Sequence, residues 1–140
     1  MNTTIKKLCI LGLAEGFSTM IAKQTKEGDI LRKAQTLRKS AGVALRRALE
    51  KDNLKVTDRV YRRVEKKISE IYTDGSSVEV IEVLSLIFLG VEDLKVYSRD
   101  AGWLAPVTAA AVDFISLYDP NFEDANHEEA LRKYERWLCK

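Results

Sequence analysis

Residues 76–97 read SSVEVIEVLSLIFLGVEDLKVY, and whether this stretch is a strand or a helix decides the fold. Val78, Val80, Ile81 and Val83 are β-branched, which suits a strand. Strict alternation fails at Val80-Ile81, where two apolar side chains adjoin. Glu79, Glu82, Ser85, Glu92 and Asp93 instead recur at helical spacing as a narrow polar stripe. Ser76-Ser77-Val78-Glu79 is a capping box, in which the serine accepts from an amide of the first turn while the glutamate reaches back. The spacing predicts a helix over 77–97, apolar on most sides and therefore the central, most buried one.

The rest of the chain follows the same period. Over residues 4–24, Ile5, Leu8, Cys9, Gly12, Leu13, Gly16, Phe17, Met20 and Ile21 recur at three- and four-residue steps. Gly12 and Gly16 fall on that apolar face, where they allow a neighbouring helix to approach or form a GxxxG-type association surface. Lys26-Glu27-Gly28 breaks this helix, and residues 29–51 form a second with Asp29 as its N-cap. Its apolar stripe is Ile30, Ala34, Leu37, Ala41, Leu45 and Ala48, and Ser40-Ala41-Gly42 offers another element a close approach. A turn at 52–56 leads to a third helix starting at Thr57 or Asp58 and running to about Tyr72.

After the loop at 98–102, Pro106 is comfortable only in a first turn. The next helix is therefore expected to start near Ala105, with Trp103-Leu104 as a preceding turn. It runs to Tyr118, with Val107, Ala110, Ala111, Phe114, Leu117 and Tyr118 facing the core, and Asp119-Pro120-Asn121 stops it. A last helix begins after Asp124 or Asn126, with Glu128–Arg132 and Glu129–Lys133 as i, i+4 pairs. The reading is all-α: a single-domain bundle of five to six helices over residues 1–140, without repeats or an internal boundary.

Charge is sorted along this bundle. Residues 23–67 hold fifteen of the twenty-three Lys and Arg residues and six acids, a net +9. Residues 68–140 hold fourteen acids and six bases, a net −8. The formal net charge of +2 hides this asymmetry, which points to an electrostatically chosen partner. On the second helix Arg32, Lys33, Lys39, Arg46 and Arg47 lie opposite the apolar stripe, with Arg38 at the border. On the third, Arg59, Arg62, Arg63, Lys66 and Lys67 follow i, i+3, i+4, i+7, i+8 spacing and share one face.

If these two helices pack as a hairpin, Arg32, Lys39, Arg46, Arg47, Arg59, Arg62, Arg63, Lys66 and Lys67 merge into one patch. That patch docks an acidic partner, with a nucleic-acid backbone narrowly favoured. The stretch 57–70 could enter a major groove, although the linker is long for a helix–turn–helix. Aromatics for stacking on single strands are sparse, with only Tyr61 and Tyr72, both at core edges. The alternative is an adaptor or homo-oligomer in which Glu79, Glu82, Glu92 and Asp93 meet Arg62, Arg63 and Lys66 across an interface.

Catalytic chemistry finds little support. His127 is the sole histidine, near Glu123 and Asp124 but without further metal ligands. Cys9 lacks a paired base, and Glu92-Asp93 and Glu128-Glu129 diverge on a helix. Asp113 sits with Ser116 on a solvated edge. No phosphate-cradling glycine loop or nucleophile elbow occurs. The expectation is a non-enzymatic regulatory binding protein without cofactor or metal. Cys9 and Cys139 are read as reduced thiols in a cytoplasmic protein. The apolar runs at 8–14 and 83–91 are too short to span a membrane, and the first does not read as a secretion signal.

Overall fold

The computed structural model describes residues 2–51, 56–72, 79–97 and 101–138, the side chain of Tyr97 excepted. Six α-helices follow in order: α1 Thr3–Gln24, α2 Asp29–Lys51, α3 Asp58–Ser69, α4 Val80–Tyr97, α5 Ala101–Ile115 and α6 Glu128–Leu138. A 3₁₀ turn, Phe122–Asp124, precedes α6, and no strand occurs among the described residues. The protein is therefore an all-α bundle.

The deciding stretch is helical, and the Val83 amide already donates to the Glu79 carbonyl at 3.2 Å. Ser76, Ser77 and Val78 of the capping box lie outside the described residues. The place at the centre is shared. Val83, Leu84, Ser85, Leu86 and Ile87 are buried in succession on α4, and Leu8, Cys9, Ile10 and Leu11 on α1. A helix with four consecutive buried residues is enclosed on every side. α1 packs on α2, α3 and α4, while α5 packs on α2 and α4, and α6 on α4. Helices α1 and α4 meet at Gly90, where a Cβ would stand 2.9 Å from Ile10 Cγ1. One apolar cluster joins α1, α2, α4, α5 and α6 around Phe17, Phe114, Leu37, Ile87 and Leu138.

Local chemistry sets the helix ends. Asn2 caps α1, its side chain accepting from Thr4 N at 2.7 Å and Ile5 N at 3.4 Å. Thr57 caps α3 by accepting from Val60 N at 3.3 Å. Asn126 accepts from Glu128 N at 2.9 Å at the start of α6. Asp29 was expected as the cap of α2 but lies inside its first turn, preceded by Gly28 at φ +94°. That angle is in the left-handed region where glycine pays no Cβ penalty.

Two expectations for α5 are corrected. The helix starts at Ala101, so Trp103 and Leu104 belong to it and Pro106 lies inside. The proline removes one donor, but Gly102, whose carbonyl loses that bond, is exposed and open to water. The helix ends at Ile115, and the following turn leaves Leu117 and Tyr118 40% and 41% exposed rather than in the core.

Candidate functional site

Helix α3 is built to show one face. Val60, Val64 and Ile68 are half-buried against the core, and Ile68 Cδ1 stands 3.1 Å from where a Cβ on Gly12 of α1 would be. Seating that stripe on α1 turns the opposite side outward. Arg59, Arg62, Arg63 and Lys66 are accordingly exposed, and none makes an ion pair with a described residue. Lys67, at the edge of the face, is held by the fold. Its ammonium donates to the Trp137 carbonyl at 3.0 Å and lies 3.4 Å from Glu70 Oε2. The Trp137 indole N–H returns a bond to the Lys67 carbonyl at 2.6 Å. This reciprocal pair fastens α3 to α6.

The basic residues of α2 are divided between two flanks, because α2 packs between α1 and α5. On the α1 side Arg38, Lys39 and Arg46, with Glu15, Thr19 and Gly42, line a groove of about 290 Å³. Gly42 keeps it open to the Glu15 carboxylate, since a Cβ there would stand 2.6 Å from Glu15 Oε2. On the α5 side Lys33 reaches Asp113 at 3.8 Å, and the Arg47 guanidinium lies 4.8 Å from the centre of the Trp103 ring. Arg32 pairs with Asp29 in its own first turn.

Helices α2 and α3 do not form the expected hairpin. Both pack chiefly on α1, so their basic faces do not merge through a shared apolar seam. The chain nevertheless places the last turn of α2 and the first turn of α3 within seven residues of each other. Arg38, at the border of the basic face in the helical pattern, lines the α1-side groove, and Trp103, in the stretch before Pro106, meets Arg47 on the α5 side. Tyr61, expected at a core edge, is 60% exposed. Tyr72 does stay at the core edge, stacked on Phe17 at 6.5 Å, and burial pushes its hydroxyl up to about 12.

The carboxylates of α4 are answered from within the chain. Glu82 pairs with Lys133, which also lies 3.9 Å from Glu129. Glu92 pairs with Lys95 at 3.2 Å. Asp93 accepts from the Lys6 ammonium and from the Tyr134 hydroxyl, both at 2.7 Å. Burial alone would raise the Asp93 pKa, but these two hydrogen bonds and the Lys6 charge outweigh it and hold the carboxyl below its usual value.

The candidate chemical groups differ in their access to solvent, from buried Cys9 to exposed Asp113. Cys9 is fully buried, and loss of solvent pushes its thiol up to about 11 in spite of Lys67 and Arg63 nearby. A thiol in that state is a poor nucleophile at neutral pH. Cys139 lies outside the described residues, and with it any bridge to Cys9. The His127 ring packs against Phe122 and Phe88, at 4.4 and 6.2 Å between ring centres. No cluster of three metal-ligating side chains occurs among the described residues. Asp113 is exposed beside Ser116, whose hydroxyl donates to the Asp113 carbonyl at 2.8 Å. No helix among the described residues is long and apolar enough to cross a membrane. Comparison with protein families, curated proteins and solved structures finds no match to this chain, so the chemistry of the site alone carries its interpretation.

Proposed function

We propose that the protein is a non-enzymatic binding protein whose α3 face docks a polyanion, a nucleic-acid backbone. The observation that carries this is the charge left over after folding. Arg59, Arg62, Arg63 and Lys66 line one exposed helix face without an ion pair to a described residue. Phosphates supply repeated, sequence-independent negative charge along such a line. Arg46 and Arg47 stand near the end of α2 from which the chain runs on to α3.

The rival reading places the acidic segment of a second copy on α3. It is disfavoured because Glu82, Glu92 and Asp93, three of the four carboxylates it requires, are engaged within their own chain. Recruiting them across an interface would first break those pairs.

The test is fluorescence anisotropy of labelled duplex and single-stranded probes titrated across salt concentration. Four to six neutralised phosphates give a log–log slope between about −3 and −5. Changing Arg62, Arg63 and Lys66 together to Glu is expected to lower affinity by about 100-fold or more, with helical content retained because all three are exposed. Binding that survives this change overturns the assignment. A lasting oligomer in light scattering, with no binding of either probe, would return the site to a protein partner.

A further inference from the structure

The edge between α2 and α5 carries something that phosphate binding does not use. The Trp103 side chain is 43% exposed even with the Arg47 guanidinium 4.8 Å from its ring centre. Large aromatics are normally placed where their area is removed from water. The other tryptophan follows that rule, being 6% exposed with its N–H bonded to Lys67. Trp103 stands out further because its helix had no need of an indole there. Leu104 provides the buried contact of that turn at 3% exposed.

Its surroundings are basic. Lys39, Arg46 and Arg47 are all exposed at i, i+7, i+8 spacing, so they share the outer face of α2 between its α1 and α5 flanks. From Lys39 to Arg46 the helix advances about 10 Å, room for a short run of phosphates. The Arg47 guanidinium is planar and, like the indole, offers a surface on which a base can stack. A row of cations ending in an exposed aromatic–guanidinium pair is the arrangement that holds a strand by its backbone and by an unpaired base together. A duplex satisfies only the first requirement, because its bases are stacked on one another.

The geometry points to Trp103, with Arg47, as a stacking platform for an unpaired nucleobase, so that the preferred ligand is a single strand. This rests on the polyanion reading above and adds the class of nucleic acid. It commits Lys39 and Arg46 to the phosphates beside that base.

The experiment compares a labelled oligothymidine with a duplex of equal length on wild type, Trp103→Ala and Trp103→Phe, with tryptophan emission recorded alongside anisotropy. Wild type is expected to prefer the single strand and to lose emission as the strand saturates. Trp103→Ala should weaken single-strand binding by about five- to a hundredfold and leave duplex binding unchanged. Trp103→Phe keeps a ring for stacking and should bind the single strand within a few-fold of wild type. It should no longer show the loss of emission, since the buried Trp137 is then the reporter. Equal affinity of wild type for both probes, or saturation without loss of emission, overturns the platform and leaves the polyanion face standing. A Trp103→Ala variant that loses both probes equally also overturns it. Failure of wild type to bind either probe overturns both readings.

Discussion

At the scale of single residues, Asp93 shows what the acidic half is for. It ties α1 to α6 across α4 by accepting from Lys6 and Tyr134, and its folded pKa is lowered. A carboxyl with a depressed folded pKa stabilises the fold above its unfolded pKa of about 3.9, and the contribution fades as pH falls through that value toward the folded one. The group is partly exposed, so solvent screens the pair and the contribution is about 1 kcal/mol or less. Asp93→Asn should therefore lower the urea midpoint at pH 7 and lower it by less at pH 3, below the unfolded pKa, where the carboxylate's contribution is fading. An equal deficit at both pH values would assign the loss to packing instead. The partners of Asp93 were not legible in the chain. A polar stripe on a helix predicts exposure, whereas the cations that answer this one arrive from residues 6 and 133, on other helices. The pairing of Trp103 with Arg47 is hidden in the sequence for the same reason, since Arg47 belongs to α2.

At the scale of elements, helix period and length were readable because side-chain chemistry repeats with the backbone. The bounds of α2 coincide with its amphipathic pattern, and the strand-like valines of α4 yield to burial on all sides. Rules applied to one residue were weaker, as at Pro106, where an exposed Gly102 carbonyl lets the helix run through the proline. Three helix glycines that look alike in sequence, Gly12, Gly16 and Gly90, part company here. Gly90 sits under Ile10, with Cγ1, Cδ1 and Cγ2 at 2.9, 3.0 and 3.0 Å from an added Cβ. Ile10 is fully buried, and its Cγ atoms lie too close to its backbone to swing away. Gly90→Ala should lower stability by about 1–2 kcal/mol, the cost of overpacking being larger than the gain in helix propensity. Gly16 has nothing within 4 Å, and Gly16→Ala should raise stability by roughly 0.5–1 kcal/mol. Thermal unfolding of the two variants tests the contrast, and a loss at Gly16 would mean that a neighbour needs that gap. Gly12 faces Ile68 of α3 and Gly16 faces open space, so the pair does not make one association surface.

At the scale of the whole molecule, the sorted charge that composition reveals is resolved unequally by folding. The carboxylates of α4 find cations within the chain, whereas Arg59, Arg62, Arg63 and Lys66 of α3 face solvent. Composition could show the imbalance between the segments but not which charges stay unanswered, because that depends on which faces pack. The helix carrying the proposed site is also the one least embedded in the core. It has no fully buried residue, and half-buried Val60, Val64 and Ile68 hold it to α1 while Lys67 and Trp137 hold it to α6. Few buried apolar contacts mean a low free energy of local opening. The amides of α3 should therefore exchange with deuterium at least roughly tenfold faster than those around Leu8–Leu13 in α1, whose opening needs the whole core to unfold. A polyanion bound across Arg59, Arg62, Arg63 and Lys66 ties successive turns of α3 together and favours its closed form by mass action. Saturating single-stranded ligand should then slow exchange in α3 more than in α4 or α6. Slowing confined to α6, or spread evenly over all helices, would place the ligand elsewhere and remove α3 from the interface.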